Sequence, residues 1–560
     1  MSDRGSIKPY RRNRPPQPID LWLDGNEGAA PPHDLLVRLA GSADGNLLSR
    51  YPNASTLESA LAARFGVPAE SVLVTAGADE ALDRICRAFL GPGLRALTTV
   101  PTFAMLPRYV DLAGAALDAV EWWDGPFPQS ALRRAVAERR PAVVFLTSPV
   151  NPTGRPVPTA ALRALAGADC AAVLVADLAY VEFADEDPTA ELLASPGALV
   201  VRTLSKAWGL AGLRVGYVLG SPERIESLRA AGGPYSVAAF SLTLAAAWLH
   251  EGESAVATAV ARVREERREL ACRLRGAGLE VPESQASFVL ARGRSAAWLG
   301  DALAGLGIAV RRIDDPSGPG AVRLTCPGGE AQHRLLAGLD AALEPQALLL
   351  DLDGVIADVR ESYDRAILAT AAQRGVTATL EDVDRVRNAG HANDDLEVTR
   401  RLLAASGVQV SAEETEQRFT GLLEQGLWRY ERPRVSPQRL TEWARRMLLG
   451  VVTGRPRREA LRFLERCGLA PAVSALVCRE DAPLKPDPAP VRQALAALRV
   501  ERAWMVGDTP DDMTAARGAG VVPIGVVPPG ADRVACERAL LSAGAARVLG
   551  HPEDLEELLP

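Results

Sequence analysis

An excess of charge of either sign is missing from this chain: 63 Lys and Arg against 70 Asp and Glu leave a net of -7 over 560 residues. No basic footprint follows, so nucleic acid is not an expected partner. Cysteine is sparse and poorly placed for pairing. The seven (Cys86, Cys170, Cys272, Cys326, Cys467, Cys478 and Cys536) show no CxxC spacing, and only five histidines accompany them. The odd total and the scatter speak against a disulfide framework and against a zinc site. Apolar runs long enough to span a bilayer are also lacking. Residues 1–18 are polar and rich in Arg and Pro, without the apolar stretch of a secretion signal. A reducing cytoplasm, with no membrane partner, is the expected compartment.

What is present is length and alternation. At 560 residues, 48% hydrophobic and 24% charged, the chain is too long for one core and predicts roughly three or four folding units. Residues 55–66 read as an amphipathic helix, and 71–75, 96–100, 142–146, 172–176 and 199–202 as short buried strands. Strands alternating with helices predict an α/β fold with a mostly parallel sheet. Each strand runs into turn-forming residues, and open parallel sheets bind ligands at those ends.

The stretch after the strand at 199–202 carries the most chemistry. Lys206 follows Thr203 and Ser205 and precedes glycines and Arg214. A lysine amine forms an imine with an aldehyde and, once desolvated, shuttles a proton. Hydroxyls and a planar guanidinium suit a phosphate. The amides of Ala78 and Asp79, where a strand turns into a helix, add a second phosphate-holding element. These features predict pyridoxal phosphate on Lys206. Phe103, after its own strand, would either lie against a flat cofactor ring or belong to the core.

Residues 1 to about 345 resemble fold-type-I aminotransferases and, within them, the histidinol-phosphate aminotransferases. The resemblance rests on Lys8-Pro9-Tyr10, Asp24-x-Asn26-Glu27, Arg50-Tyr51-Pro52, Thr75-x-Gly77-Ala78-Asp79-Glu80, Pro101-Thr102-Phe103, Ser148-Pro149-x-Asn151-Pro152-Thr153-Gly154, Ala176-Asp177-x-Ala179-Tyr180, and 202–217. It implies a large domain over about 45–235, and a small domain built from the N-terminal arm and about 236–345. Asp177 would pair with the pyridine nitrogen, while Asn151 and Tyr180 would hold the ring's phenolic oxygen. Ala78, Asp79, Thr203, Ser205 and Arg214 would hold the phosphate, with Tyr51 reaching it from the second subunit of a homodimer. Tyr10, Asn26, Arg311 and Arg323 would meet the substrate. Val150, Leu178 and Ser287 depart from the family's common Asn, Glu and Asn.

A second pattern begins with the strand at 347–350, which ends in Asp351-Leu352-Asp353-Gly354. Residues i and i+2 of a strand share a face, and two carboxylates held together favour a divalent cation between them. Thr453-Gly454-Arg455, Leu484-Lys485-Pro486 and Gly507-Asp508-Thr509-Pro510-Asp511-Asp512 follow, each at a strand end or turn. Residues 346–560 resemble haloacid dehalogenase-superfamily phosphatases, with a Rossmann-like core (346–361 and 438–560) and a helical cap (362–437). The resemblance implies that Asp351 attacks phosphorus and Asp353 acts as general acid and base. Thr453 and Lys485 would hold the phosphoryl oxygens. Asp351, the Asp353 carbonyl, Asp508 and Asp512 would hold Mg2+. Residues 388–395 are a candidate substrate loop.

Together the two resemblances predict a bifunctional enzyme acting on small molecules: transamination with glutamate and 2-oxoglutarate as partners, then hydrolysis of a phosphomonoester, with histidinol phosphate passing to histidinol. Alternatives are an aminotransferase for another acid fused to an unrelated phosphatase, and a scaffold with inactive sites, which intact Lys206, Asp177, Asp351 and Asp353 argue against.

Overall fold

The computed structural model describes residues 14–41, 45–167, 172–314, 318, 320–390 and 394–559. Tyr10, with its neighbours Lys8 and Pro9, Cys170, and His391 to Asn393 of the candidate loop lie outside them. The remaining six cysteines are free thiols. No described helix is long and apolar enough to cross a membrane.

Two compact units emerge. One comprises Leu23–Ala296 and Arg311–His333; the other comprises the described residues up to Trp22, Ala297–Val310, and the chain from Arg334 onward. In the first, a seven-stranded sheet is built from β1 (Val72–Thr75), β2 (Arg95–Val100), β3 (Ala116–Glu121), β4 (Val143–Thr147), β5 (Val173–Asp177), β6 (Ala198–Thr203) and β7 (Gly216–Gly220). Their spatial order is β1-β7-β6-β5-β4-β2-β3. Only β7 runs against its neighbours.

The uninterrupted apolar runs of these strands follow from burial on both faces. Val144, Leu146, Leu174, Ala176 and Val200 join one hydrophobic cluster, whereas Val143, Phe145, Val173, Val175 and Val201 join another. Successive side chains therefore enter opposite cores, as a period of two requires. The predicted helix appears as Ser55–Phe65, closed by Gly66 in the left-handed region. A smaller antiparallel sheet in this unit pairs β8 (Phe288–Arg292), β9 (Arg311–Ile313) and β10 (Ala321–Thr325) in the order β9-β10-β8.

The second unit carries a six-stranded parallel sheet: β11 (Ala347–Leu350), β12 (Leu448–Val452), β13 (Ala475–Val477), β14 (Ala503–Gly507), β15 (Val522–Val526) and β16 (Arg547–Leu549). The order β13-β12-β11-β14-β15-β16 puts β11 at the centre. Helices Arg365–Ala372, Leu380–Asn388, Asp395–Ala405 and Ala412–Glu424 form the segment between β11 and β12. Thr379, Asp394 and Ser411 cap three of them, a local signal that sets each start.

Within this second unit, two tryptophans tie residues 297–310 and 334–343 to the sheet. Trp504 of β14 and Trp298 meet edge to face with centroids 4.7 Å apart. Their indole N–H groups donate to the carbonyls of Ala341 (2.9 Å) and Ala342 (3.0 Å) of the helix Glu330–Leu343. Replacing Trp504, which is fully buried, with alanine should cost about 3–5 kcal/mol. Differential scanning calorimetry should then show a lowered transition for the unit holding β11 to β16, with the other transition unmoved.

Candidate active sites

Register brings Asp177, Thr203 and the turn after Thr75 to one end of the strands of the seven-stranded sheet. Asp177 is paired with Thr147 on β4 and with Val201 on β6, and Gly216 lies between Thr75 and Thr203. A Cβ on Gly216 would sit 2.5 Å from the Gly77 carbonyl carbon and 2.6 Å from the Ala78 nitrogen. Only glycine there lets the helix Gly77–Phe89 start against the sheet end. That helix has no side-chain cap at Ala76. Its first-turn amides, among them those of Ala78 and Asp79, make an anion-binding terminus beside the lysine loop.

Around this terminus the donors are already arranged. Thr203 Oγ1 donates inward, to the Val215 carbonyl (3.2 Å) or the Ser205 hydroxyl (3.0 Å), and accepts from the Ser205 amide at 3.1 Å. Thr203 thus orients Ser205, whose own hydroxyl proton is left to donate outward. Arg214 adopts the left-handed conformation (φ 53) and pairs with Asp79 Oδ2 at 3.0 Å, while the Tyr109 hydroxyl donates to Asp79 Oδ1 at 3.2 Å.

Lys206 is held from above by the chain at residues 25–29. Its Nζ donates to the Gly25 carbonyl at 3.0 Å and lies 5.6 Å from the Tyr180 ring centroid. A Cβ on Gly28 would fall 1.8 Å from the Lys206 carbonyl oxygen, and one on Gly209 would fall 1.9 Å from that of Ala29. Two glycines therefore permit backbone-to-backbone contact on either side of the lysine, which the family motifs did not reveal. Asn26 donates from Nδ2 to the Tyr180 hydroxyl at 3.0 Å, and Thr325 Oγ1 engages the Leu23 carbonyl at 2.6 Å and Asn26 Oδ1 at 3.0 Å.

Asp177 is buried, and burial pushes its carboxyl up to about 6. Hydrogen bonds from the Ala179 amide and Thr147 hydroxyl pull the other way; the Asp79 charge adds to the rise, and the Lys206 charge opposes it. Arg323 donates to Asn151 Oδ1 and to the Asp24 carbonyl, both at 2.6 Å, with its guanidinium 5.2 Å over the Phe288 ring centroid. Arg311 lies directly across from Arg323 in the β9–β10 register, so both side chains leave the same face. Two like charges side by side suit a dianionic group.

Other expectations fare differently. Phe103 is half-buried against the second core, which supports its packing role. Tyr51 is 81% exposed and stacks on Tyr235, centroids 4.7 Å apart. Ser287 is buried, and its Oγ has no hydrogen-bond partner among the described residues.

The donor set fits pyridoxal phosphate: a helix terminus, a serine and an arginine for the phosphate, an amine, and a buried carboxylate whose raised proton affinity a cationic ring nitrogen would relieve.

In the second unit, Leu350 is in register with Val451 on β12 and with Val506 on β14, so Asp351, Thr453 and Asp508 leave neighbouring strand ends. Lys485 Nζ donates to Asp351 Oδ1 at 2.8 Å, to the Val452 carbonyl at 3.1 Å and to Asp512 Oδ1. Asp512 is placed by a local capping box. Its Oδ2 accepts from the Thr509 amide (3.0 Å) and hydroxyl (2.6 Å), and the Thr509 hydroxyl accepts from the Asp512 amide in return.

Carboxylate oxygens of Asp351, Asp508 and Asp512 lie within 4.8 Å of one another. Burial, then the neighbouring carboxylates, raise the proton affinity of Asp508; Asp351 is raised likewise against the pull of Lys485. Three crowded oxygen donors fit a hard divalent cation. The Asp353 side chain is not in this group, because it faces Arg455; its expected contribution is the main-chain carbonyl. Gly354 is required where it stands (φ +69), since a Cβ would fall 1.9 Å from Asp508 Oδ2. A cavity joins Asp351, Asp353 and Asp508 to cap residues including Tyr363, Asp394 and Phe419.

Against known proteins, a model of the class I and II aminotransferases matches residues 23–336. The chain belongs to that family. A haloacid dehalogenase-like hydrolase model matches residues 345–520, so this aminotransferase continues into a hydrolase domain. It is 38% identical over 288 residues to the histidinol-phosphate aminotransferase of Thermobifida fusca (strain YX), covering 49% of this chain and 77% of that protein. It is 42% identical over 197 residues to an imidazoleglycerol-phosphate dehydratase of Phytophthora nicotianae, covering 33% of this chain and only 44% of that protein. The crystal structure of histidinol-phosphate aminotransferase from Sinorhizobium meliloti in complex with pyridoxal-5'-phosphate aligns over 58% of this chain and 91% of that chain, with 25% identity and a TM-score of 0.53.

The raised Asp177 carboxyl has a stability consequence for the cofactor-free aminotransferase. Folding favours its protonated form, so the native state binds more protons than the unfolded state between about pH 4 and pH 6, and stability falls as pH rises through that window. Asp177→Asn removes this loss. The cofactor-free variant should melt higher than the parent at pH 8, by an amount equivalent to roughly 3 kcal/mol, and the gap should close at pH 4. Thermal melts at the two pH values measure it.

Proposed function

We propose that the protein is a bifunctional enzyme: it transfers an amino group from glutamate to a small phosphorylated keto substrate of the imidazole-acetol phosphate type, then hydrolyses a phosphomonoester with Mg2+, converting histidinol phosphate to histidinol. The observation carrying the first half is the convergence of Lys206, Asp177 and the Gly77–Phe89 helix terminus at one end of the sheet's strands. The names of the relatives, histidinol-phosphate aminotransferase and imidazoleglycerol-phosphate dehydratase, support a substrate of the imidazole phosphate class.

Residues 1–345 would make the aminotransferase and 346–560 the phosphatase. Pyridoxal phosphate, when bound, supplies the electron sink that stabilises a carbanion at the substrate's α-carbon. Lys206 attaches the cofactor and moves the α-proton. Asp177 keeps the ring nitrogen protonated, and Asn151 and Tyr180 orient the ring oxygen. Ser205, Arg214 and the helix terminus hold the cofactor phosphate. Asn26 and the Arg311–Arg323 pair bind the acidic end of the substrate, the clamp closing on whichever of glutamate's carboxylate or the keto substrate's phosphate is present. Exposed Leu48, Tyr51, Tyr235 and Phe240 support a homodimer in which Tyr51 reaches the partner's phosphate.

In the phosphatase half, Asp351 attacks phosphorus while Asp353 gives a proton to the departing alcohol and later takes one from water. Thr453 and Lys485 hold the equatorial oxygens. Asp351, Asp508, Asp512 and the Asp353 carbonyl would hold Mg2+, which would supply positive charge to offset that of the phosphoryl oxygens.

The full chain, supplied with imidazole-acetol phosphate, glutamate, pyridoxal phosphate and Mg2+, should yield histidinol and inorganic phosphate. Asp351→Asn should stop at histidinol phosphate, and Lys206→Ala should make none while still hydrolysing added histidinol phosphate. Histidinol phosphate accumulating with the parent protein would sink the coupled reading and leave transamination standing.

A further inference from the structure

Arg455 occupies a position that neither phosphoryl binding nor metal binding explains. It lies two residues beyond Thr453, in the turn that ends β12, with its backbone N–H donating to Thr453 Oγ1 at 3.1 Å. Its side chain is only 2% exposed. The guanidinium sits 4.4 Å from the Tyr363 ring centroid and 5.6 Å from that of Phe463, an aromatic slot that fixes the direction of a planar cation. Nε donates to both oxygens of Asp353, each at 2.9 Å, and NH1 reaches Glu431 Oε1 at 3.3 Å.

These partners come from both connections to the cap. Tyr363 lies in the turn Arg360–Asp364, where the chain leaves the core. Glu431 directly precedes the short strand Arg432–Pro433, which pairs with Ala357–Asp358 on the return. Asp353, by contrast, is only half-buried, its side chain 27% accessible, and it lines the same cavity as Asp351. Among the described residues, only Arg455 donates to its carboxylate.

We propose that Arg455 is the positioning residue for Asp353, aiming its carboxyl at the ester oxygen and tying that aim to the two cap connections through Tyr363 and Glu431. The proposal rests on the reading of Asp353 as general acid. In that step the Asp351–phosphorus bond forms, the phosphorus–oxygen bond to the alcohol breaks, and the proton on Asp353 passes to the departing oxygen. Arg455 transfers nothing.

Two near-isosteric substrates separate positioning from structure. The alkoxide of 4-nitrobenzyl phosphate needs a proton to leave, whereas the phenolate of 4-nitrophenyl phosphate does not. Because kcat/KM reports only steps up to departure of the alcohol, it isolates the acid role. With the full chain and Mg2+, Arg455→Lys should lower kcat/KM on the benzyl ester by about 100-fold, the usual worth of a well-placed general acid, and on the phenyl ester by no more than about 3-fold. Asp353→Asn should show the same selectivity.

Equal losses on both esters with Arg455→Lys, while Asp353→Asn remains selective, would overturn the positioning role alone. Equal losses with Asp353→Asn would overturn the acid assignment, and the proposal with it. Should Arg455→Lys fail to fold, judged by circular dichroism, Glu431→Gln removes one charge that steadies the guanidinium. It should give a loss of about 5-fold confined to the benzyl ester, and an unselective or absent effect would count against the proposal.

Discussion

Two buried carboxylates, Asp177 and Asp351, each lie within reach of one lysine, and the chemistry proposed for both halves depends on that pairing. A carboxylate taken out of water tends to pick up a proton unless a positive charge answers it. Asp177 has Lys206 in electrostatic reach, and Asp351 has Lys485 at 2.8 Å. The cations differ with the task. Lys206, proposed to react, is held by one carbonyl at 3.0 Å. Lys485, proposed to hold phosphoryl oxygens, is locked by two carboxylates and a carbonyl. An arginine that aims another group is fixed by ring stacking on its faces and by its fork.

Both halves solve the placement problem in the same way. Adjacent parallel strands end at one level, and their next residues emerge side by side, so residues far apart in sequence converge without long side chains. Asp177 ends β5 and Lys206 follows the neighbouring β6, while Asp351, Thr453 and Asp508 follow β11, β12 and β14. Rigidity comes from below, where strands buried on both faces carry the load. From above, residues 25–29 contact Lys206, and cap residues share the cavity of Asp351.

Strand and helix positions were largely legible in the sequence, because apolar runs bounded by turn residues are local signals; the predicted run at 172–176 appears as Val173–Asp177, for example. The candidate site residues were legible for a related reason, since each sits in a short motif at a strand end. Motif reading went less far with the groups that hold those residues. Thr203 looked like a phosphate ligand because hydroxyls suit phosphates, yet its proton is directed to Val215 or Ser205. Arg455 looked like part of a turn, because its partner Asp353 lies 102 residues away. Gly28 and Gly209 looked like loop glycines until the close approach of Lys206 and Ala29 gave them a steric reason.

By itself, then, the sequence determined the alternation of elements, the two families and the motifs at the strand ends, since periodicity and strand-end motifs are written within a few residues of one another. Tertiary structure alone decided which arginines face each other across β9 and β10, that residues 297–310 share a unit with the strands of the hydrolase domain, and which cation answers each buried carboxylate. Those outcomes depend on register, on packing across long separations and on the removal of water, none of which is encoded in neighbouring positions of the chain.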